Sequence, residues 1–466
     1  MSQHSSALTR RRLLQVGGLG MLGLSLPDLL HARASQPGSR PQREKSCILI
    51  VQGGGPSQID TWDMKPAAPI DRRGPYKSIP TALPGFQICE LMPRLAKLAD
   101  HYCIIRSMTH TNADHPEAMH SFLAGQASPA ADAPYFGTVM AKLQPSTRNV
   151  PSYVWLQDLE GGSGVGKRYL TGGFLGAAYS PLRIGQGADN PSDPKFQVRA
   201  FDGPRDVPLQ RIRERRDLLD CLDPVAAPLG QTTAGGAIER MREKAFAMVT
   251  GLQARQAFDI NHEPATLRQR YGMHWLGQNL LMARRLVEAG VRLVSVSASC
   301  GPSNPSEAKH VEANVWDMHG NSDGNGGGSI FGKSWNGLGW ALPCFDQAVS
   351  ALLEDLEQRG LLESTLVLAL GEMGRTPHFV PNRPGIPGRG HWPHCYTAML
   401  AGGGIRRGVI YGSSDRIAAY PKDNPVSPED FSATVFHALG VAPETRLGAD
   451  GFTRPASSGR PILELF

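Results

Sequence analysis

The chain has 466 residues, 41% of them hydrophobic, which supplies a large packed core and excludes an intrinsically disordered chain. Its formal charge is only +6, and half of that sits in residues 1–34, where Arg10, Arg11, Arg12 and Arg33 face Asp28 alone. No basic block remains for nucleic acid, and 7 scattered cysteines without a C-x-x-C pair argue against a disulfide framework and a thiolate metal site, leaving room for one or two bridges.

Thr9-Arg-Arg-Arg-Leu-Leu-Gln15 precedes an apolar run from Val16 to Leu26 and then Ala32-Arg-Ala34. A charged start, a short hydrophobic stretch and an A-x-A site predict a cleaved export signal over residues 1–34. The apolar run falls well short of the ~20 residues that cross a bilayer, so no stable membrane span is expected after cleavage. Arg10 and Arg11 ahead of two leucines resemble the twin-arginine signal, which makes that export machinery an expected partner and a periplasmic or secreted location the expected one. Export in folded form lets a metal be acquired inside the cell.

Residues 35–45 are polar, with Pro37, Gly38 and Pro41, and read as a linker ahead of one domain over residues 46–466. Cys47-Ile-Leu-Ile-Val51 runs into Gly53-Gly-Gly55, the pattern of a strand buried on both faces of a parallel sheet. Leu91 to Leu98 reads as a helix and Tyr102-Cys-Ile-Ile105 as a second strand. Residues 145–205, rich in Gly, Pro and Ser, read as a loop-rich insertion, and residues 207–256 carry helical charge patterning. Met273 to Ala289 is an amphipathic helix stopped by Gly290, followed by a strand over Val291 to Val296. Leu338 to Glu357 reads as a helix, Ser364 to Leu370 as a strand, and Tyr396 to Ala401 as another that ends in Gly402-Gly-Gly404. This alternation predicts an α/β fold with a central, mostly parallel sheet flanked by helices.

Ligands of such sheets bind beyond the carboxyl ends of the strands, and the polar clusters lie there. Asp60 follows the first strand, Thr109 and His115 the second, Asp317 and His319 the strand near 291–296, and Glu372 and Arg375 the strand at 364–370. His391 stands just before the strand at 396–401. Asp317 and His319, at i and i+2, share one side of an extended segment. Carboxylate and imidazole ligands suit zinc and similar divalent ions, with Glu372 or His391 completing one ion and Asp60 and His115 available to a second or to substrate. Arg375 is a forked donor suited to an anionic oxygen. Each also has a structural reading: Asp317/His319 as a hydrogen-bonded loop pair, His115 as a packed histidine, Glu372/Arg375 as an ion pair.

Several motifs make the chain similar to the domain of unknown function 1501 family. They are Gly54-Gly-Pro-Ser-Gln-Ile-Asp-Thr-Trp-Asp-Met-Lys-Pro66, Arg106-Ser-Met-Thr-His110, Leu281-Met-Ala-Arg-Arg-Leu-Val-Glu-Ala-Gly-Val291, Trp316-Asp-Met-His-Gly320, Gly371-Glu-Met-Gly-Arg-Thr-Pro377 and His391-Trp-Pro-His-Cys395. That family is similar to the alkaline phosphatase and sulfatase superfamily. The resemblance implies a metal site at the strand ends, formed by Asp60, Asp317, His319, Glu372 and His391 with zinc, calcium or manganese. It further implies hydrolysis of a phosphate or sulfate ester, with polysaccharide esters among the expected substrates and His115, Thr109 and Arg375 as the catalytic candidates. Three positions depart from the pattern: Gln52-Gly53 stands where active relatives place a metal-binding aspartate, Gly390 where the family usually has aspartate, and Pro116 where a serine is often found. They support an alternative, a catalytically degenerate exported protein that binds a partner or glycan with the same fold.

Overall fold

Strand β1, Ser46–Val51, is buried along its whole length. Ile48 and Ile50 face one core, while Cys47, Leu49 and Val51 face a second. Such a strand must have helices on both sides, because each buried aliphatic side chain contributes roughly 1.5–3 kcal/mol only when covered. The computed structural model describes residues 44–157, 171–185, 189–198, 208, 210–211, 213–219, 221, 245–246, 252–301, 316–320, 330–332, 337–383, 386–448 and 454–466. The expected signal over 1–34, nearly all of the linker over 35–45, and most of the helical region over 207–256 lie outside the described residues. Residues 45–466 form one compact unit.

The sheet adds β2 (Cys103–Met108), β3 (Tyr153–Leu156), β4 (Leu182–Ile184), β5 (Leu293–Ser297), β6 (Thr365–Leu370), β7 (Tyr396–Ala401) and β8 (Ile410–Tyr411). Their order is β8-β2-β7-β6-β1-β5-β3-β4. Every pairing is parallel except those of β7, which runs antiparallel to both β2 and β6. Helices α1 (Pro93–Lys97), α4 (Trp275–Ala289) and α5 (Leu338–Gln358) cover the face with Ile48 and Ile50. Helices α2 (His115–Ala124), α3 (Phe136–Leu143) and α6 (Pro428–Ala438) cover the other. The sequence expectation of a mostly parallel sheet between helices therefore describes the molecule.

Two details differ from that expectation. Residues 145–205 include β3 and β4, which belong to the central sheet; runs of four and three residues are too short to display a period amid loop. The reversal of β7 is the second, and it matters for function. It brings the amino end of β7, where Tyr396 pairs with Met108, to the rim formed by the carboxyl ends of the parallel strands. A residue preceding β7 thus reaches the same rim as residues following its neighbours.

Candidate metal centre

Each rim segment is set by a local feature. After β1 the chain turns through Gly54 at φ +107° and Gly55 at φ +74°. A Cβ on Gly54 would lie 2.6 Å from the Asp317 backbone nitrogen, and one on Gly55 2.7 Å from the Met373 carbonyl oxygen. The glycine run therefore lets two other rim segments approach its backbone. Gly54→Ala is expected to cost about 1–3 kcal/mol in a thermal melt, through strain and overpacking.

The remaining segments are fixed by buried side chains. Trp316 donates its indole N–H to Ala298 O at 3.1 Å and sits with Met318 in the core. Period-two alternation then leaves Asp317 and His319 on the opposite side, as the sequence led us to expect. Helix α2 opens at His115 behind Asp114, with Pro116 in its first turn and left-handed Gly125 at its end. Gln58, fully buried, donates to Arg375 O and accepts from Arg375 N, both at 2.9 Å, which holds the short strand Gly374–Arg375 against His391–Trp392.

Four side chains converge at the rim. One ligand atom from each of His115, Asp317, His319 and His391 lies within 4.8 Å of the others. The His115 and His391 rings stand 4.2 Å apart, and the His319 and His391 rings 4.6 Å, both edge-on. The Nδ1 of each ring faces an oxygen acceptor: Glu372 Oε1 for His115 at 2.6 Å, Ala113 O for His391 at 2.5 Å, and Asp317 Oδ1 for His319. Donation from Nδ1 leaves the lone pair on Nε2. The Nε2 of His391 is buried without a hydrogen-bond partner among the described residues, and the buried Nε2 of His115 faces Asp317 Oδ2 at 3.6 Å, beyond hydrogen-bond distance. Buried polar atoms are rarely left so, and three imidazoles with one carboxylate form a donor set suited to a divalent cation. The residues fit such an ion.

Glu372 and Arg375 support the four rather than join them. Glu372 is fully buried, and its carboxylate accepts Gly54 N–H at 2.9 Å besides His115 Nδ1–H. A carboxylate behind a ligating histidine fixes the ring and raises its basicity. Arg375, also fully buried, donates to Asp317 Oδ1 at 2.6 Å, to Gly55 O at 3.0 Å and to Arg389 O at 3.2 Å, and further to Gly54 O. The sequence reads Arg375 as a donor for a substrate anion; in the structure its guanidinium is engaged by protein acceptors and holds Asp317 in place.

Asp60 and Thr109 are not among the four that converge. Asp60 accepts Arg389 Nε at 2.6 Å and Nη2 at 3.2 Å, both residues fully buried, and Ser57 Oγ at 2.5 Å. Both its oxygens are thereby used, so the geometry makes it half of an ion pair instead of the metal ligand expected. Arg389, which carries the pair, was not singled out by sequence reasoning. Thr109 is held by its N–H on Val426 O at 2.9 Å, and no contact among the described residues ties its hydroxyl to the four. Pro116 occupies the first turn of α2.

Electrostatics separate the histidines. Burial opposes charge on His115, but the Asp317 carboxylate 3.6 Å from its Nε2 and Glu372 at its Nδ1 outweigh it and raise its pKa to about 9. His391 is lowered to about 4 by burial and by the neighbouring Arg375, His115 and His319. Burial would raise Asp317, yet Arg375 and the two histidines hold it well below the usual carboxylate range. A cation entering the site must displace the His115 proton. Apparent zinc affinity should therefore rise about tenfold per pH unit between pH 6 and 8, with one proton released, and level off near pH 9. Isothermal titration in several buffers reads both; a flat profile would exclude His115 from the ligands. In the metal-free protein, the His115 contribution to stability is full below pH 6.5 and lost as pH rises through about 9. The His391 contribution is present above pH 6.5 and lost as pH falls through about 4.

Among solved structures the chain is similar to a protein in the alkaline phosphatase superfamily from Vibrio parahaemolyticus, at 11% identity and TM-score 0.35 over 89% of this chain and 74% of that one. It is also similar to a sulfatase from Pseudoalteromonas sp., at 13% identity and TM-score 0.33 over 93% and 76%. A phosphonate monoester hydrolase from Silicibacter pomeroyi matches at 12% identity and TM-score 0.33 over 90% and 76%. Values this low say nothing of a shared substrate. No curated protein matches. The profile of one family, described as protein of unknown function (DUF1501), matches residues 44–466, and the chain belongs to that family.

Proposed function

We propose that the protein is an exported, metal-dependent hydrolase of phosphate or sulfate esters. The observation that carries this reading is the convergence of His115, Asp317, His319 and His391, with the His391 Nε2 buried and without a hydrogen-bond partner among the described residues. Three imidazole nitrogens favour zinc over calcium and manganese, which are better suited by oxygen ligands. When bound, a divalent cation would polarise an ester oxygen and lower the pKa of an attacking water or hydroxyl. The chain's own residues prepare for that. Glu372 and Ala113 O hold His115 and His391 in the tautomer that leaves Nε2 free, and Arg375 keeps Asp317 ionised and oriented. The N-terminus of α2, which starts at His115, adds a partial positive charge favourable to an anionic ester.

Export rests on the residue 1–34 pattern. Among the described residues, no helix is long and apolar enough to cross a membrane. The signal is tested by sequencing the amino terminus of the protein recovered outside the cytoplasm. A mature terminus near residue 35 supports cleavage, and an intact residue 1 refutes it.

Turnover is tested with aryl phosphate and aryl sulfate on protein loaded with zinc or manganese. Hydrolysis lost on chelation and restored by metal is expected; full metal loading without turnover of any ester would refute the hydrolase. A second reading, an exported binding protein with a degenerate site, is favoured by the engagement of Arg375 with protein acceptors. That same outcome, metal bound and no ester cleaved, is its signature.

A further inference from the structure

Two thiols meet where α5 packs against the chain leaving β5. Cys300 is fully buried, and Cys344, on α5, is only 4% exposed. A helical side chain leans back over the preceding turn, which puts the Cys344 thiol beside the Ala341 carbonyl. The Cys300 Sγ faces that same carbonyl oxygen at 3.8 Å, and the Cys344 thiol is its hydrogen-bonding neighbour. Both flanks of Cys300 are pinned here. Trp340 of α5 donates its indole N–H to Gly301 O at 3.1 Å, and Trp275 N–H bonds Cys300 O at 3.3 Å. The other buried cysteines, Cys47, Cys89, Cys103 and Cys395, have no thiol beside them among the described residues.

The same chain supports Asp317 and His319. Trp316 returns to it through Ala298 O and packs edge-on against Phe345, the residue after Cys344, with ring centres 5.6 Å apart. A link between residues 300 and 344 therefore fastens this support to α5. Access to the pair is set by Pro343, which is exposed inside α5 and has no N–H for the helical ladder. The first turns of α5 consequently open more readily than the rest of that helix and uncover Cys344 first.

We propose that Cys300 and Cys344 form a disulfide site, oxidised by thiol–disulfide exchange with a disulfide oxidant. The inference does not depend on the ester-hydrolase reading; the export reading only supplies a compartment in which disulfides persist. The Cys344 thiol beside it and burial push the Cys300 pKa well up, so Cys344 is the first nucleophile. Its thiolate attacks one sulfur of the oxidant and breaks that S–S bond, and the expelled thiolate takes up the Cys344 proton. Cys300 then attacks the Cys344 sulfur of the mixed disulfide, and its proton goes to the second leaving thiolate. Two protein thiols become one cystine while one oxidant disulfide becomes two thiols.

The test treats the reduced, folded full chain with oxidised glutathione, blocks the remaining thiols with iodoacetamide and maps the peptides by mass. A linked pair of peptides carrying residues 300 and 344, on a single chain lighter by two hydrogens, is expected. The bridge should raise the melting temperature by roughly 2–4 °C, reversibly on reduction, because it lowers the entropy of the unfolded chain. Cys344→Ala should lose both the link and the gain, and Cys221→Ala, at an exposed position, should keep both. Residues 300 and 344 still free once Cys221 has reacted fully, a bridge from either to another cysteine, or a 300–344 link that forms only in denaturant would each overturn the proposal. A bridged chain without ester turnover would leave this site standing and count against the hydrolase alone.

Discussion

Replacing His391 with alanine should lower zinc affinity by roughly a hundredfold or more and abolish metal-dependent ester turnover. Four protein ligands that together bind zinc with about 10–16 kcal/mol contribute a few kcal/mol each, and His391 has its Nε2 buried with no other partner. Its Nδ1 stays on Ala113 O, so the ring is held for no visible reason other than its free nitrogen. The loss should be confined to metal binding, because His391 is partly exposed and lies on a two-residue strand. Glu372→Gln should cost less, about ten- to a hundredfold in affinity, because it disturbs the orientation and basicity of His115 without removing a ligand. A competition titration against a chelating dye orders the variants. Equal affinities for the unaltered chain and His391→Ala would remove that residue from the centre.

Replacing Asp60 with alanine should instead cost about 3–5 kcal/mol of stability, the usual penalty for stranding one member of a buried ion pair. Arg389 is wholly buried, and two of its guanidinium nitrogens depend on that carboxylate. Its other bonds, to Thr376 O, Pro377 O and Arg72 O, leave the charge uncompensated. Denaturant unfolding measures the loss, and a domain of ordinary stability survives it. Zinc affinity of the folded Asp60→Ala protein should change by no more than a few-fold. A fall of a hundredfold with little change in stability would restore Asp60 to the ligand set expected from the sequence.

These two variants divide what the sequence makes legible from what it hides. Asp317 and His319 can be paired on sight because period-two alternation places them together and Trp316 and Met318 away. His391 enters the expected ligand set through its motif, but the physical reason it reaches the rim is that β7 is antiparallel, and an apolar run such as Tyr396–Ala401 reads the same in either direction. Asp60 looks like a ligand because it follows the first strand, whereas its partner Arg389 is 329 residues away along the chain. No local pattern announces a pairing across that separation. Helix α2 left a clearer trace in Asp114, Pro116 and Gly125, the usual punctuation of a short helix. Reading those residues as a helix would have put His115 at its first turn, beside the centre and not merely near it. The strands β1, β6 and β7 and the helices α4 and α5 were plain, since long apolar runs and Gly290 fix them locally.

The most direct test of the metal centre is X-ray absorption at the zinc edge on the full chain after loading and desalting. The arrangement of His115, His319, His391 and Asp317 predicts bound zinc with an imidazole-rich first shell at about 2.0–2.1 Å. Protein that retains no metal after exposure to zinc or manganese, or a bound ion whose shell contains no imidazole, would contradict it.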